Sequence, residues 1–262
     1  MEFKEVIGRR RSIRFFDPEK PVEREKIQIM LEAARLASCA VNAHWLKAIV
    51  MQRDYIPEDM LKKLKTPVLN VQLDLAPTHI YFFIDLGVVN RIQGSRLKEL
   101  VDVGALPPTH GWSHRFVDEL VYPQILKPLT EQPAYAAVAA ADAGMAAGQA
   151  LLAGVDEGLG VGLNTPNPEH IHEVLGVPED WMMLWVLLVG YPAESWEAGG
   201  QRPRPPFEEQ FFDGEYGVPF ERDEAVVDSL KAADMIQRQA APNDPERMAE
   251  LKALAERFGL PL

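Results

Sequence analysis

Apolar and polar positions alternate along this chain at two spacings, and most of its elements can be placed from them. From Pro21 the run PVEREKIQIMLEAARLASCA sets Ile27, Leu31 and Ala34 at helical spacing, and Glu2 to Arg9 reads as a shorter helix before it. WLKAIVM (Trp45 to Met51) and HIYFFID (His79 to Asp85) read as strands, the second starting after the breaker Pro77. The strongest strand lies in WMMLWVLLVGYP (Trp181 to Pro192), where Gly190 and Pro192 stop it. LNTPNP (Leu163 to Pro168) reads as a loop and EHIHEVLG as a short helix, and helices at about Glu224 to Arg238 and Asp244 to Phe258 close the chain. Residues 86–133 show no clear period and hold Pro107, Pro108, Pro123 and Pro128.

The run Ala134 to Val155, AYAAVAAADAGMAAGQALLAGV, approaches the roughly 20 apolar residues of a spanning helix. Its apolar side chains are mostly Ala and Gly, with little transfer energy, and neither Lys/Arg clusters nor aromatic belts flank it. A helix that is small and apolar all round is expected in a protein interior, packed closely on other helices. With helices outnumbering strands that lie far apart in sequence, the expected class is α+β, a central sheet flanked by helices. One domain is expected over 1–262, with 86–133 as a lid-like excursion and 207–262 as a C-terminal extension.

Charge narrows the partners. The formal net charge of −12 repels phosphate backbones, so no nucleic acid is expected as a partner, and the weakly apolar, unflanked Ala134 to Val155 run leaves no membrane expected either. Cys39 is the only cysteine, which excludes an intramolecular disulfide and a cysteine metal cluster. The N-terminal order, apolar residues and then a basic run, is the reverse of a secretory signal, and a cytoplasmic location is expected.

Against this acidic background two basic clusters stand out. Arg9, Arg10, Arg11 and Arg14 surround Ser12, and such crowding is costly unless an anion or carboxylates share the site. The competing reading is a solvated basic helix end. Arg202 and Arg204 lie in a loop stiffened by Pro203, Pro205 and Pro206, which alone also reads as a linker. His170, His172 and Glu173, and separately His110 and His114, invite a metal reading. The first set does not share one helical face and the second lies in a Pro/Gly-rich stretch, so no metal is expected. Cys39 is a candidate nucleophile beside arginines, against the blander reading of a small buried hydrophobe. The nucleophile-elbow, phosphate-loop and dinucleotide fingerprints are not found in the sequence.

Together with three further segments, the two clusters resemble the nitroreductase family. RRSIR is similar to the family's N-terminal signature, and ASCAVNAHW (Ala37 to Trp45) stands where the family has a Pro-Ser, an Asn and a Trp. LGVGLN (Leu159 to Asn164) follows the alanine-rich helix, VLLVGYPAE (Val186 to Glu194) looks like the family's core strand and exit, and QRPR (Gln201 to Arg204) matches its late basic pair. The resemblance implies a mainly antiparallel sheet flanked by helices in an intertwined homodimer. It implies flavin mononucleotide (FMN) as cofactor and a ping-pong reaction, in which NADH or NADPH gives hydride and a small electrophile, a nitroaromatic, quinone or similar, takes it. Dehalogenating and flavin-cleaving variants share the fold, and a flavin-binding or sequestering protein without turnover is the alternative from another class.

Carried over by position, the resemblance puts Arg10 and Ser12 on the FMN phosphate and ribityl chain, with Arg11 in the same segment. Arg14 would face the pyrimidine edge, and Arg202 and Arg204 would complete the phosphate site. Ser38, Cys39, Ala40 and Asn42 would come from the partner subunit. Asn70 matches an asparagine near the pyrimidine edge, and Leu163, Asn164 and Thr165 match the loop beside the hydride-accepting nitrogen. Catalytic side chains are not assigned, since FMN carries the chemistry. The sequence departs from the pattern at Ala43-His44-Trp45, at Ser38-Cys39 and at Thr165-Pro166-Asn167-Pro168.

Overall fold

The structure is a computed structural model that describes residues 1–261. Helix α1 (Phe3–Arg9) and α2 (Arg24–Arg35) precede strand β1 (Leu46–Gln52), and two short helices, α3 (Glu58–Leu64) and α4 (Val71–Leu75), lead to β2 (Thr78–Asp85). Helices α5 (Val88–Ile92), α6 (Ser95–Asp102), α7 (His114–Phe116) and α8 (Lys127–Thr130) come next, with a π-helical run over Val117–Leu126 between the last two. Then come α9 (Tyr135–Asp156), β3 (Gly160–Asn164), α10 (Ile171–Leu175), β4 (Trp181–Gly190), α11 (Glu224–Ala232) and α12 (Pro245–Phe258).

The sheet has the order β1-β2-β4-β3, and every pair in it is antiparallel. Alternate residues of its two central strands serve two cores. Ile80, Phe82, Leu187 and Val189 face α2 and α9, while Tyr81, Phe83, Val186 and Leu188 pack with Leu61, Leu64 and Leu73 of α3 and α4. Strand β2 is therefore buried along its whole length, as its near-continuous apolar run demands.

Three expectations are corrected here. Helix α2 starts at Arg24, because Glu23 is extended and Val22 turns into the core. GVGLN is a strand: two glycines give it little strand propensity of its own, but pairing from Gly160↔Gly190 to Asn164↔Val186 decides the matter. Residues 86–133 are largely helical. Over Val117–Leu126 the period was hidden because that run, with Pro123 inside it, winds as a π-helix rather than at 3.6 residues per turn. This lobe has its own core, in which Val88, Leu97, Val117 and Val121 meet Trp45, Tyr135 and Ala139.

Helix α9 is long and apolar enough to cross a membrane by length and composition, yet it packs along α2 and across the sheet. Its burial is one-sided rather than complete. Ala139, Ala143, Ala146, Ala147 and Ala150 are buried, whereas Ala137, Val138, Ala141 and Met145 are exposed.

Candidate functional site

Four guanidiniums from two distant segments converge. Arg10 is half-buried, and burial first, then the charges of Arg204 and Arg202, lower its pKa below the usual arginine value. Arg202 is lowered in the same way, by burial and then by Arg14 and Arg247. Gln201 Nε2 donates to Gly8 O at 3.1 Å, which lays the segment of Arg202 and Arg204 beside that of Arg10, and the mutual repulsion of these arginines accords with one shared region. Among the described residues, none of these four side chains forms an ion pair with a carboxylate. Their protein contacts are backbone carbonyls: Arg14 Nη1 donates to Ser12 O at 3.0 Å, Arg202 Nη1 to Ala198 O at 2.9 Å and Arg204 Nη1 to Pro203 O at 3.2 Å. A set of cations left with donors to spare is suited to an anionic ligand.

The sheet brings these arginines together. Ser12 bridges Val161 of β3 in parallel, and the Ile13 amide donates to Val161 O at 2.9 Å. Further on, Asp17 N donates to Tyr191 O at 2.8 Å and Ala193 N to Phe15 O at 2.9 Å, so the segment runs from β3 onto the exit of β4. The chain that leaves β4 then carries Arg202 and Arg204 back beside Arg10. Glu194 fastens the crossing: its side chain is fully covered, and Oε1 accepts from the amides of Arg14 at 2.6 Å and Phe15 at 3.0 Å.

Arg11 sits in the same segment but points the other way. Its buried guanidinium donates to Gly8 O at 2.6 Å, Glu197 O at 3.2 Å and Gln237 Oε1 at 2.8 Å. Those bonds tie α1 to the C-terminal extension, so the Arg11 side chain is an anchor and not a member of the cluster.

Ser38 and Cys39 line a separate cavity of about 350 Å³ between α2, α9 and β1, together with His44, Trp45, Phe82, Arg96 and Asp142. The loop that follows is strained: Val41, Asn42 and His44 all have positive φ, at 49°, 51° and 54°. It is held by Asn42 Oδ1 to His44 Nε2 at 2.7 Å and by Ala40 N donating to Asp142 Oδ2 at 2.7 Å. Burial, the largest influence, pushes the Cys39 thiol above its ordinary pKa, which disfavours the thiolate a nucleophile needs. Asn70 is exposed at the start of α4, beside Lys62, Lys65 and Thr66. Leu163 and Asn164 end β3, and Thr165 is exposed just beyond it. Within one chain, then, the basic segments are brought together, and the 38–42 loop and Asn70 line other surfaces.

Sequence reasoning missed Glu194 as a clamp, and it missed Gln201, Gln237 and Arg247, which reach the site from far along the chain. The one available signal was a carboxylate two residues beyond Gly-Tyr-Pro and shortly before the Arg202 cluster, and it pointed only to Glu194.

Comparison with known proteins supports the family resemblance. The Nitroreductase family model matches residues 7–76. A nitroreductase family protein from Streptococcus pneumoniae is similar at 21% identity over 81% of this chain and 100% of its own, with a TM-score of 0.62. A Staphylococcus epidermidis protein assigned as an NAD(P)H:FMN oxidoreductase is similar at 19% identity over 80% and 94%, with a TM-score of 0.63. A protein from Exiguobacterium sibiricum, assigned as a nitroreductase and crystallised with FMN, is similar at 22% identity over 79% and 94%, with a TM-score of 0.60. A comparison with curated proteins gives no match. The chain has the nitroreductase fold.

Proposed function

We propose that this chain is an FMN-dependent oxidoreductase, a cytoplasmic homodimer that uses NADH or NADPH to reduce a small electrophilic acceptor. The observation that carries this reading is the convergence of Arg10, Arg14, Arg202 and Arg204, none of them paired with a carboxylate among the described residues. A dianionic phosphate monoester such as that of FMN matches this donor set, since guanidiniums bind phosphate through paired, directional hydrogen bonds. The family match over 7–76 and the FMN-bound neighbour support the choice of FMN over other phosphate ligands.

In this reading Arg10, Ser12, Arg202 and Arg204 hold the phosphate end, and Arg14 presents a fixed cation to the pyrimidine edge. Such a cation stabilises negative charge that develops there. Leu163, Asn164 and Thr165, at the open end of β3, orient the ring system, and Asn70 adds a polar contact from α4. When bound, FMN supplies the two-electron chemistry.

Ser38, Cys39, Ala40 and Asn42 serve the partner's flavin. Their strained loop lines a cavity that Arg10, Arg14, Arg202 and Arg204 do not line, and the exposed side of α9 offers an apolar surface of Ala137, Val138, Ala141 and Met145 on which two copies can pair. The 86–133 lobe forms a wall of the pocket over that flavin. Arg96 from α6 already lines the cavity beside Ser38, which supports this role.

Anaerobic titration tests the reading. The purified or FMN-reconstituted protein should absorb near roughly 450 nm, and NADH or NADPH should bleach that band. Failure to bind FMN overturns the proposal. Binding without bleaching by either nucleotide would make the chain a flavin-binding protein without turnover.

A further inference from the structure

The C-terminal extension reaches the arginine cluster through one side chain. Arg247, in the first turn of α12, donates from Nη2 to Glu194 Oε2 at 2.5 Å and from Nη1 to Glu250 Oε2 at 2.6 Å. Glu194 in turn holds the amides of Arg14 and Phe15. The stem of Arg247 also lies against the turn that launches Arg202: a Cβ on Gly199, where φ is +84°, would sit 3.3 Å from Arg247 Cγ. One residue therefore braces both arms of the cluster, the Arg14 arm through Glu194 and the Arg202 arm through Gly199.

Its charge matters as much as its contacts. Glu194 is a fully covered carboxylate whose field already reaches Arg202. Uncompensated, it would compete with an incoming phosphate for the same cations. Arg247 supplies the compensating positive charge through its contact with Glu194 Oε2, while lying close enough to Arg202 to repel it. Arg247 is itself held by Glu250, which also accepts from the Ser195 amide. Burial pushes the Glu250 carboxyl up, but the Ser195 amide and Arg247 outweigh it and keep the group below its usual range. At the start of α12, Asp244 caps the amides of Glu246 and Arg247 and pairs with Arg238 at 2.8 Å.

We infer that Arg247 is a positioning residue for flavin phosphate binding, acting through Glu194, so that the C-terminal extension sets how tightly the cofactor is held. This rests on the reading of the arginine cluster as the FMN phosphate site.

The test compares FMN with riboflavin, which lacks the phosphate, by fluorescence titration of the flavin-stripped full-length protein. Arg247→Gln should weaken FMN about tenfold or more, as expected when a buried carboxylate loses its partner, and should leave riboflavin affinity within about threefold. Arg247→Lys, which cannot fork two carboxylates as arginine does, should show a smaller loss with the same selectivity. The double variant Glu194→Gln/Arg247→Gln should regain FMN affinity relative to Arg247→Gln, because the unpaired carboxylate is gone. Equal losses of FMN and riboflavin, or no loss, would overturn the inference. Should Arg247→Gln fail to fold, the FMN-to-riboflavin ratio of Arg247→Lys decides instead. Arg10→Ala separates the two levels. If it loses FMN selectively while Arg247→Gln does not, only the role of Arg247 falls; if it leaves FMN affinity unchanged, the phosphate site falls with it.

Discussion

Gly162 and Ile13 are in backbone contact: a Cβ added to Gly162 would stand 2.8 Å from the Ile13 carbonyl oxygen. The segment carrying Arg10 to Arg14 can lie along β3 only because that position has no side chain. Gly162→Ala has to push the segment outward, since the obstacle is backbone and cannot rotate away. Overpacking of this kind costs typically about 1–3 kcal/mol. Denaturant unfolding should show that loss, and flavin titration should show weaker FMN binding. A variant with both quantities unchanged would mean that the contact does not position the site.

Arg10 and Arg11 are neighbours with opposite duties. Arg10→Ala should release FMN and spare the fold, with a loss on the order of 2–5 kcal/mol in binding. Arg204→Ala should behave alike. Arg11→Ala should instead lower the melting temperature, because it strips Gly8, Glu197 and Gln237 of their bonds. Thermal melts beside flavin occupancy check the contrast; equal FMN loss without destabilisation in Arg11→Ala would contradict it.

Helix α9 offers a test of the dimer that leaves the single chain intact. A Cβ at Gly148 would meet nothing within 4 Å, whereas one at Gly144 would lie 3.7 Å from the Trp185 ring. Gly148→Leu therefore has room in an isolated chain and would obstruct a second copy packed on that face. Sedimentation should show a dimer for the unmodified protein and weaker association for Gly148→Leu, with FMN lost alongside. A flavin-loaded monomer of the unmodified protein at micromolar concentration would end the dimer proposal.

His79 predicts acid sensitivity. It is fully buried in β2 and hydrogen-bonded to Tyr81, and burial, with Arg53 adding to it, lowers its pKa from 6.5 to about 4. The unfolded chain thus takes up a proton below about pH 6.5 that the folded chain refuses until about pH 4. Stability is full above 6.5 and falls as pH drops through that window, by about 3 kcal/mol at most. Denaturant unfolding at pH 7.5 and 4.5 should show this loss, and His79→Phe should remove most of it. Equal pH dependence in the two proteins would show that another group is responsible.

Much of this architecture could be read from the chain alone, for local reasons. Ile27, Leu31 and Ala34 recur with the period of a helix, and HIYFFID and WMMLWVLLVG are apolar runs of strand length, so backbone geometry and burial agree within a single segment. The arginine segments were legible because a cationic cluster is costly without an anion. Other features needed the folded chain. GVGLN becomes a strand only because β4 offers it a partner, and Val117–Leu126 winds as a π-helix whose spacing matches no pattern sought in sequence. Arg247 looks like any surface residue of an amphipathic helix until the fold lays it on Glu194. The difference is one of range. Periodicity and composition report forces acting within a few residues, whereas a strand edge, a close glycine contact or a buried ion pair depends on which distant segment the fold brings opposite.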